Sequence, residues 1–294
     1  MKVIDIHIHG IDSHDTSSGK EEDILKIAEI LGTQGISEII PTIYPSSIKT
    51  MRKNMIAVKK VMERQHSTFQ APHSSLILGV NLEGPFLNPS KCGALNKRAF
   101  IDATEYNFRQ LIDGFEDIVR IITVAPEIKG AKKLIKKMSD MGITVNMGHS
   151  EATFSEAEAG FNAGAKGITH IFNAMRSFHH REPGIAGFGL MNKDIYIEVI
   201  ADPFHLHHKT LELIFRTKNP ENIIIVSDSV KETRVKEKGG INRRVKAITD
   251  RSGRLIGGSM TVIESANRLI QMGFDEEIVM KCITGNPERY LSTR

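Results

Sequence analysis

Eight short apolar runs, most of them rich in β-branched residues, are spaced along nearly the whole chain and constrain its fold more than any other feature. They are 3–9, 36–43, 76–83, 118–125, 143–147, 167–172, 195–201 and 222–227, each bounded by Gly, Pro, Asn or Asp, and they read as strands. Amphipathic segments lie between them. Met51, Met55, Val58 and Met62 recur at helical spacing after the candidate caps Ser46 and Ser47. Leu134, Ile135, Met138 and Met141 form a second stripe that stops at Gly142, the favoured residue just past a helix C-terminus. Near-continuous apolar strands alternating with helices imply a parallel sheet covered on its outer side. Eight such units fit a (β/α)₈ TIM-type barrel of about 250 residues better than an open doubly wound sheet.

The 294 residues contain no linker or composition break, so a single (β/α)₈ barrel over 1–294 is expected. Residues 230–258 interrupt the pattern with a polar, glycine-containing insertion after the last strand, which reads as a hairpin or loop excursion. The tail from Thr261 to Leu291 is helical in pattern. With 40% hydrophobic and 25% charged residues, disordered and collagen-like classes are excluded. Cys92 and Cys282, the only two cysteines, cannot form a disulfide framework and are expected to be reduced. No run approaches the roughly 20 apolar residues of a membrane span, and Met1 leads directly into the first strand, so no membrane association and a cytoplasmic location are expected. The formal charge of +4 is unevenly spread: 231–254 holds nine basic residues against three acidic ones.

In such a barrel the functional groups lie where strands end. The first strand closes His7-Ile8-His9, and residues two apart on a strand point to the same side. Glu83 ends the third strand, His149 the fifth, His170 the sixth and Asp228 the eighth. A glutamate at the end of an apolar run is rarely buried unless paired or ligating. Together these residues form a His and carboxylate set suited to divalent Zn, Fe, Mn, Ni or Co, with no thiolate needed. The reaction class is then metal-assisted hydrolysis, with Asp228 the candidate base for the attacking water.

At these residues the chain resembles the amidohydrolase superfamily, and within it the N-acetylglucosamine-6-phosphate deacetylases. The blocks that carry the resemblance are Leu82-Glu83-Gly84-Pro85-Phe86, Gly148-His149-Ser150, Thr169 through Met175, His179-His180-Arg181-Glu182-Pro183-Gly184, Ile200-Ala201-Asp202 leading to His205, and Ser227-Asp228. The resemblance implies removal of the N-acetyl group of N-acetylglucosamine 6-phosphate, giving glucosamine 6-phosphate and acetate. It implies one or two divalent ions, with Glu83, His149 and His170 holding the first and His7, His9 and Asp228 the second, Glu83 bridging and Asp228 both ligand and base. His205 corresponds to a residue on the sugar and the reacting carbonyl, Gly93 and Ala94 to a substrate loop, and Asn173 and Ala174 to phosphate-side backbone contacts. His180 and Arg181 fall in a block whose arginine reaches the 6-phosphate across a dimer interface, so a homodimer is implied.

Two departures from the family stand out. Leu95 occupies the position where members often carry a histidine near the acetyl carbonyl, and the small β-sandwich that usually accompanies the barrel is not expected here. A metal barrel without a sandwich also fits a TatD-type deoxyribonuclease or phosphoesterase, for which 231–254 would be a phosphate-tracking surface. That segment has no aromatic residue for base stacking, so nucleic acid is not the expected partner. A non-catalytic sugar-phosphate or metal-binding barrel is the remaining alternative, favoured only if Asp228 is misplaced or Leu95 disables the site.

Overall fold

Each of the eight apolar runs forms a strand. In the computed structural model, which describes residues 1–67, 73–235 and 245–292, they are β1 (Ile4–Ile8), β2 (Glu38–Ile43), β3 (two pieces, Leu76–Ile77 and Val80–Leu82), β4 (Val119–Val124), β5 (Thr144–Met147), β6 (Gly167–Ile168), β7 (Tyr196–Ile200) and β8 (Ile223–Val226). Each pairs in parallel with the next. The sheet closes on itself because the Asp228 amide donates to the His7 carbonyl at 2.9 Å and the His9 amide to the Ser229 carbonyl at 2.8 Å. The fold is thus the expected eight-stranded parallel barrel. Strands are shorter than the apolar runs, most of all β6, because the chain leaves the sheet early to present its last residues at the barrel mouth.

The helices are α1 (Glu21–Thr33), α2 (Ile48–Ser67), α3 (Glu105–Ile112), α4 (Ala131–Asp140), α5 (Phe154–Asn162), α6 (Gly184–Met191), α7 (His208–Thr217), α8 (Val262–Gln271), α9 (Glu276–Ile283) and α10 (Gly285–Ser292). Of the two candidate caps for α2, Ser47 serves: its hydroxyl accepts from the Thr50 amide at 3.2 Å, removing one orphan donor of the first turn. In α4 the residues Leu134, Ile135 and Met138 are buried, each contributing roughly 1.5–3 kcal/mol of apolar transfer, and the helix ends just before Gly142 at φ +78°. Thr153 with Glu156 and Thr261 with Glu264 form capping boxes on α5 and α8. The helical tail is broken at Gly273, where φ is +90°, and restarts under the Asp275 cap of α9.

Two cores result. The larger lies between sheet and helices and includes Ile39, Ile43, Ile122, Val145 and Leu269. The smaller fills the barrel floor, where Ile4, Ile6, Ile40, Ile121, Ile224 and Val226 surround Tyr290 of α10. Above that floor the interior is polar: Asp5, Asn81, Thr123, Asn146 and Glu198 are all buried, so the runs are less uniformly apolar in effect than in appearance. Part of the expected insertion is a two-stranded antiparallel hairpin, β9 (Ile248–Thr249) and β10 (Leu255–Gly257); residues 236–244 of it lie outside the described residues. Both cysteines are free, as expected, and no helix among the described residues is long and apolar enough to cross a membrane.

After β10 the chain passes so close to the end of β8 that a Cβ on Gly258 would stand 1.8 Å from the Ser227 carbonyl oxygen. The obstacle is backbone and cannot rotate away. Gly258→Ala is therefore expected to destabilise by about 1–3 kcal/mol, the usual cost of overpacking, read as a lower midpoint in thermal unfolding followed by circular dichroism; an unchanged midpoint would show that the loop yields freely.

Candidate metal centre and substrate pocket

The six expected ligands converge at the mouth of the barrel. Two clusters have ligand atoms within 4.8 Å of one another, His7 with His9 and Asp228, and Glu83 with His149 and His170. Glu83 touches both: its Oε1 lies 2.9 Å from His149 Nε2 and 3.0 Å from His170 Nε2, while its Oε2 lies 3.2 Å from His9 Nε2. Asp228 Oδ1 is 3.5 Å from His7 Nε2 and 3.4 Å from His9 Nε2. Three of these residues hold a left-handed backbone that non-glycine residues avoid, His149 at φ +47°, His170 at +28° and Asp228 at +47°. Such outliers cost of order 1–3 kcal/mol each and cluster at functional sites.

The donor set fits a divalent cation. His9 Nδ1 faces the Thr42 carbonyl at 3.1 Å and His149 Nδ1 the Lys91 carbonyl at 2.9 Å, and His7 Nδ1 faces the Glu198 carboxylate at 3.0 Å. These partners only accept, so in the neutral rings each Nδ1 carries the hydrogen and each Nε2 turns a lone pair inward. His7 and His9 then meet Nε2 to Nε2 at 3.3 Å, an arrangement that needs positive charge between the two nitrogens. The charges of the protein alone make the same demand. Burial works against an imidazolium at His7, yet Glu198, Asp228 and Glu83 push it up to about 10. Burial likewise opposes the Glu83 carboxylate, but the imidazoles, His149 foremost, hold it well below the usual range. The set of imidazoles and carboxylates suits Zn, Fe, Mn, Ni or Co.

Beside the clusters opens a cavity of about 660 Å³, large enough for a small organic ligand. Gly93, Ala94, Asn173, Ala174 and His205 line it, as expected from sequence, together with Tyr44, Leu95, Lys231 and Arg254. Leu95 thus fills the place of the family histidine with an apolar side chain. The structure does not bring His180 and Arg181 to this cavity: both are exposed and absent from its lining. The basic insertion contributes two cations, Lys231 and Arg254, the latter donating to the Gly93 carbonyl at 2.7 Å. It also contributes one carboxylate, Glu232, while its other described charges lie outside the lining.

Sequence reasoning missed Glu198, Tyr44 and Thr42, and singled out Asp202 only as part of the block leading to His205, without a role. Tyr44 stacks on His9 with ring centroids 3.8 Å apart and planes 10° from parallel. Glu198 had a signal that could have found it, an acid in the middle of a buried strand, which must be paired. Asp202 fixes His205: its Oδ2 accepts from His205 Nδ1 at 3.0 Å and from the Ser259 amide and hydroxyl at 3.0 and 2.9 Å, while Oδ1 takes the amides of Phe204 and His205.

A closed parallel barrel whose strand ends gather four histidines and two carboxylates around a cavity defines a metal-dependent hydrolase of the TIM-barrel class. More closely, the chain belongs to the amidohydrolase family, whose model matches residues 2–294. It is 28% identical over 281 residues to an N-acetylgalactosamine-6-phosphate deacetylase of Escherichia coli O157:H7, covering 92% of this chain and 71% of that protein. To an N-acetylglucosamine-6-phosphate deacetylase of Bacillus subtilis it is 29% identical over 275 residues, covering 91% and 68%. The crystal structure of an N-acetylglucosamine-6-phosphate deacetylase from Thermotoga maritima superposes with a TM-score of 0.83 at 26% identity, covering 98% of this chain and 77% of that one.

Burial disfavours the imidazolium of His205, but Asp202 outweighs it and raises the group above its ordinary 6.5. The stability this pair contributes through His205 is therefore present below pH 6.5 and is lost as pH rises through the elevated folded value. Removing the carboxylate leaves burial dominant. In metal-free Asp202→Asn protein, NMR titration of His205 should give a midpoint below 6.5; a midpoint still above it would show that Asp202 does not control the ring.

Proposed function

We propose that the protein hydrolyses the N-acetyl group of N-acetylglucosamine 6-phosphate to glucosamine 6-phosphate and acetate. The observation that carries this reading is the pairing of two abutting ligand clusters with a cavity of monosaccharide size, in a family whose similar members bear deacetylase names. Divalent ions held by His7, His9 and Asp228 and by Glu83, His149 and His170, with Glu83 spanning both, would supply an activated water and a polarised amide carbonyl.

The chain's own residues do the rest. Asp228, whose Oδ1 faces the first cluster, takes a proton from the attacking water and returns it to the departing sugar nitrogen. Among the described residues His205 is the one cavity imidazole outside the ligand clusters, and Asp202 holds it by Nδ1, which leaves Nε2 for the substrate. With Leu95 in the family histidine's place, hydrogen bonding to the carbonyl or the neighbouring sugar hydroxyl falls to His205, while Leu95 offers an apolar wall. Gly93, Ala94, Asn173 and Ala174 shape the sugar and phosphate side. Arg181 and His180, exposed on their own chain, would contact a phosphate only from a second copy, so a homodimer belongs to the proposal. Arg254 and Lys231 meet the phosphate within the same chain. A cytoplasmic location accords with the free cysteines.

Neither alternative gains support. Of the described charges of the basic insertion, two cations and one carboxylate, Glu232, line the cavity, which suits a small anion better than a nuclease groove, and the position of Asp228 beside His7 and His9 supports its role as the base.

The decisive assay offers N-acetylglucosamine 6-phosphate, its galacto epimer and single-stranded DNA to protein loaded with Zn²⁺, Fe²⁺ or Mn²⁺, following acetate and nucleotide release. Absence of acetate with every metal would refute the reading. Asp228→Asn should lower kcat by about 10²–10⁴-fold, the range for a lost general base, with metal still bound at Glu83, His149 and His170; near-normal turnover would mean another base. Arg254→Ala should raise KM for the phosphorylated sugar about tenfold, as for a charged hydrogen bond of roughly 1.5 kcal/mol, leaving the unphosphorylated sugar unaffected; equal KM effects on both sugars would remove its phosphate role.

A further inference from the structure

Glu198 lies in the middle of β7, inside the barrel and 2% exposed, where an ionisable side chain is costly unless fully paired. Its two oxygens face different ways. Oε2 accepts from His7 Nδ1 at 3.0 Å, with the His170 amide a longer contact at 3.4 Å. Oε1 accepts from Asn146 Nδ2 at 2.6 Å, and Asn146 Oδ1 accepts in turn from the Tyr290 hydroxyl. Tyr290 is 1% exposed and belongs to the cluster that fills the barrel floor. An unbroken line of three side-chain hydrogen bonds therefore runs from the last helix, through the barrel interior, to the back of a candidate metal ligand.

The two clusters differ in this support. In the Glu83 cluster His149 leans on a loop carbonyl, and His170 Nδ1 is buried with no partner among the described residues. In the other cluster His9 has a carbonyl and His7 a buried carboxylate. A carboxylate behind an imidazole fixes its tautomer and orientation and makes the opposite nitrogen a stronger ligand. We propose that Glu198, steered by Asn146 and Tyr290, is the positioning residue that sets the affinity of the His7, His9 and Asp228 cluster, so that whether this barrel holds one ion or two is governed from its floor. The inference rests on the metal-dependent reading of the site and not on the identity of the sugar.

Equilibrium dialysis of the full chain against Zn²⁺, with bound metal counted by mass spectrometry, tests it. The unmodified protein should bind two equivalents per chain. Glu198→Leu should keep one at unchanged affinity and bind the second about 10–100-fold more weakly, the usual effect of losing an outer partner of a ligand. Glu198→Gln, which can still accept from His7, should recover part of the loss. Tyr290→Phe removes one hydroxyl without altering the packing shape and should weaken the second equivalent in the same direction, to a smaller degree. Two equivalents of undiminished affinity in Glu198→Leu would overturn the proposal, as would equal weakening of both sites or a single equivalent in the unmodified protein. Acetate release, assayed separately, reports on the deacetylase reading: two equivalents without acetate would remove that reading and leave this one standing.

Discussion

Four imidazoles and two carboxylates held out of water at one end of a barrel form the constraint on which the rest of the structure depends. Desolvated, such a set is tolerable only if its charges balance, and the inward lone pairs of His7 and His9, 3.3 Å apart, balance only around a cation or a proton. The backbone submits to this requirement. His149, His170 and Asp228 take left-handed conformations two residues past the ends of their strands, a strain that the closed sheet and the helices packed outside it are stable enough to sustain. Barrel closure and site assembly are also one event, because the Asp228 amide that carries a ligand side chain is itself bonded to the carbonyl of His7.

The substrate side is built differently, from loops tied to one another rather than from the sheet. Arg254 links the hairpin to the loop at Gly93, and Ser259, just past the hairpin, links the same region to Asp202 and so to His205. Chemistry and recognition therefore rest on separate supports. A change such as Leu95 for histidine alters one wall of the cavity without touching the six ligands. Asp202 separately holds the His205 ring of the same cavity against the cost of burial.

The fold was readable in the sequence because both of its periodic signals were strong: all eight apolar runs are strands, and the stripes at Met51 and Leu134 are helices. The candidate ligands were readable because a polar residue ending an apolar run has few structural excuses. What lay within the runs was not. Asp5, Asn81, Asn146 and Glu198 face the barrel interior, and their partners come from distant strands and from α10, pairings that depend on tertiary register. Glu198 shows the limit: an acid inside a buried run signals that it must be paired, but the run does not name His7 and Asn146 as its partners. Its sequence context, Tyr196-Ile197-Glu198-Val199-Ile200, alternates like a strand with one face in solvent, yet in a barrel the inner face is the one that contains it. The position of Arg181 was legible only as a motif, and its distance from the chain's own cavity belongs to the folded surface.

The barrel interior therefore has three tiers with different physical rules. The floor is apolar and closed by Tyr290, the middle is a hydrogen-bonded layer of Asn146, Glu198 and Thr123 with Thr169, and the mouth is charged. A direct passage from hydrocarbon to metal ligands would leave the backs of the histidines unsatisfied, each orphaned N–H costing of order 1–3 kcal/mol. The middle tier prevents that at His7 by offering the Glu198 carboxylate, which is itself met from below by Asn146. Its members must then match each other in hydrogen-bonding sense as well as size: a tyrosine donates to the asparagine oxygen, the asparagine nitrogen donates to the carboxylate, and the carboxylate receives the imidazole. That direction, fixed at the tyrosine, leaves the His7 lone pair pointing into the mouth, which makes the last helix of the chain part of the machinery that begins in its first strand.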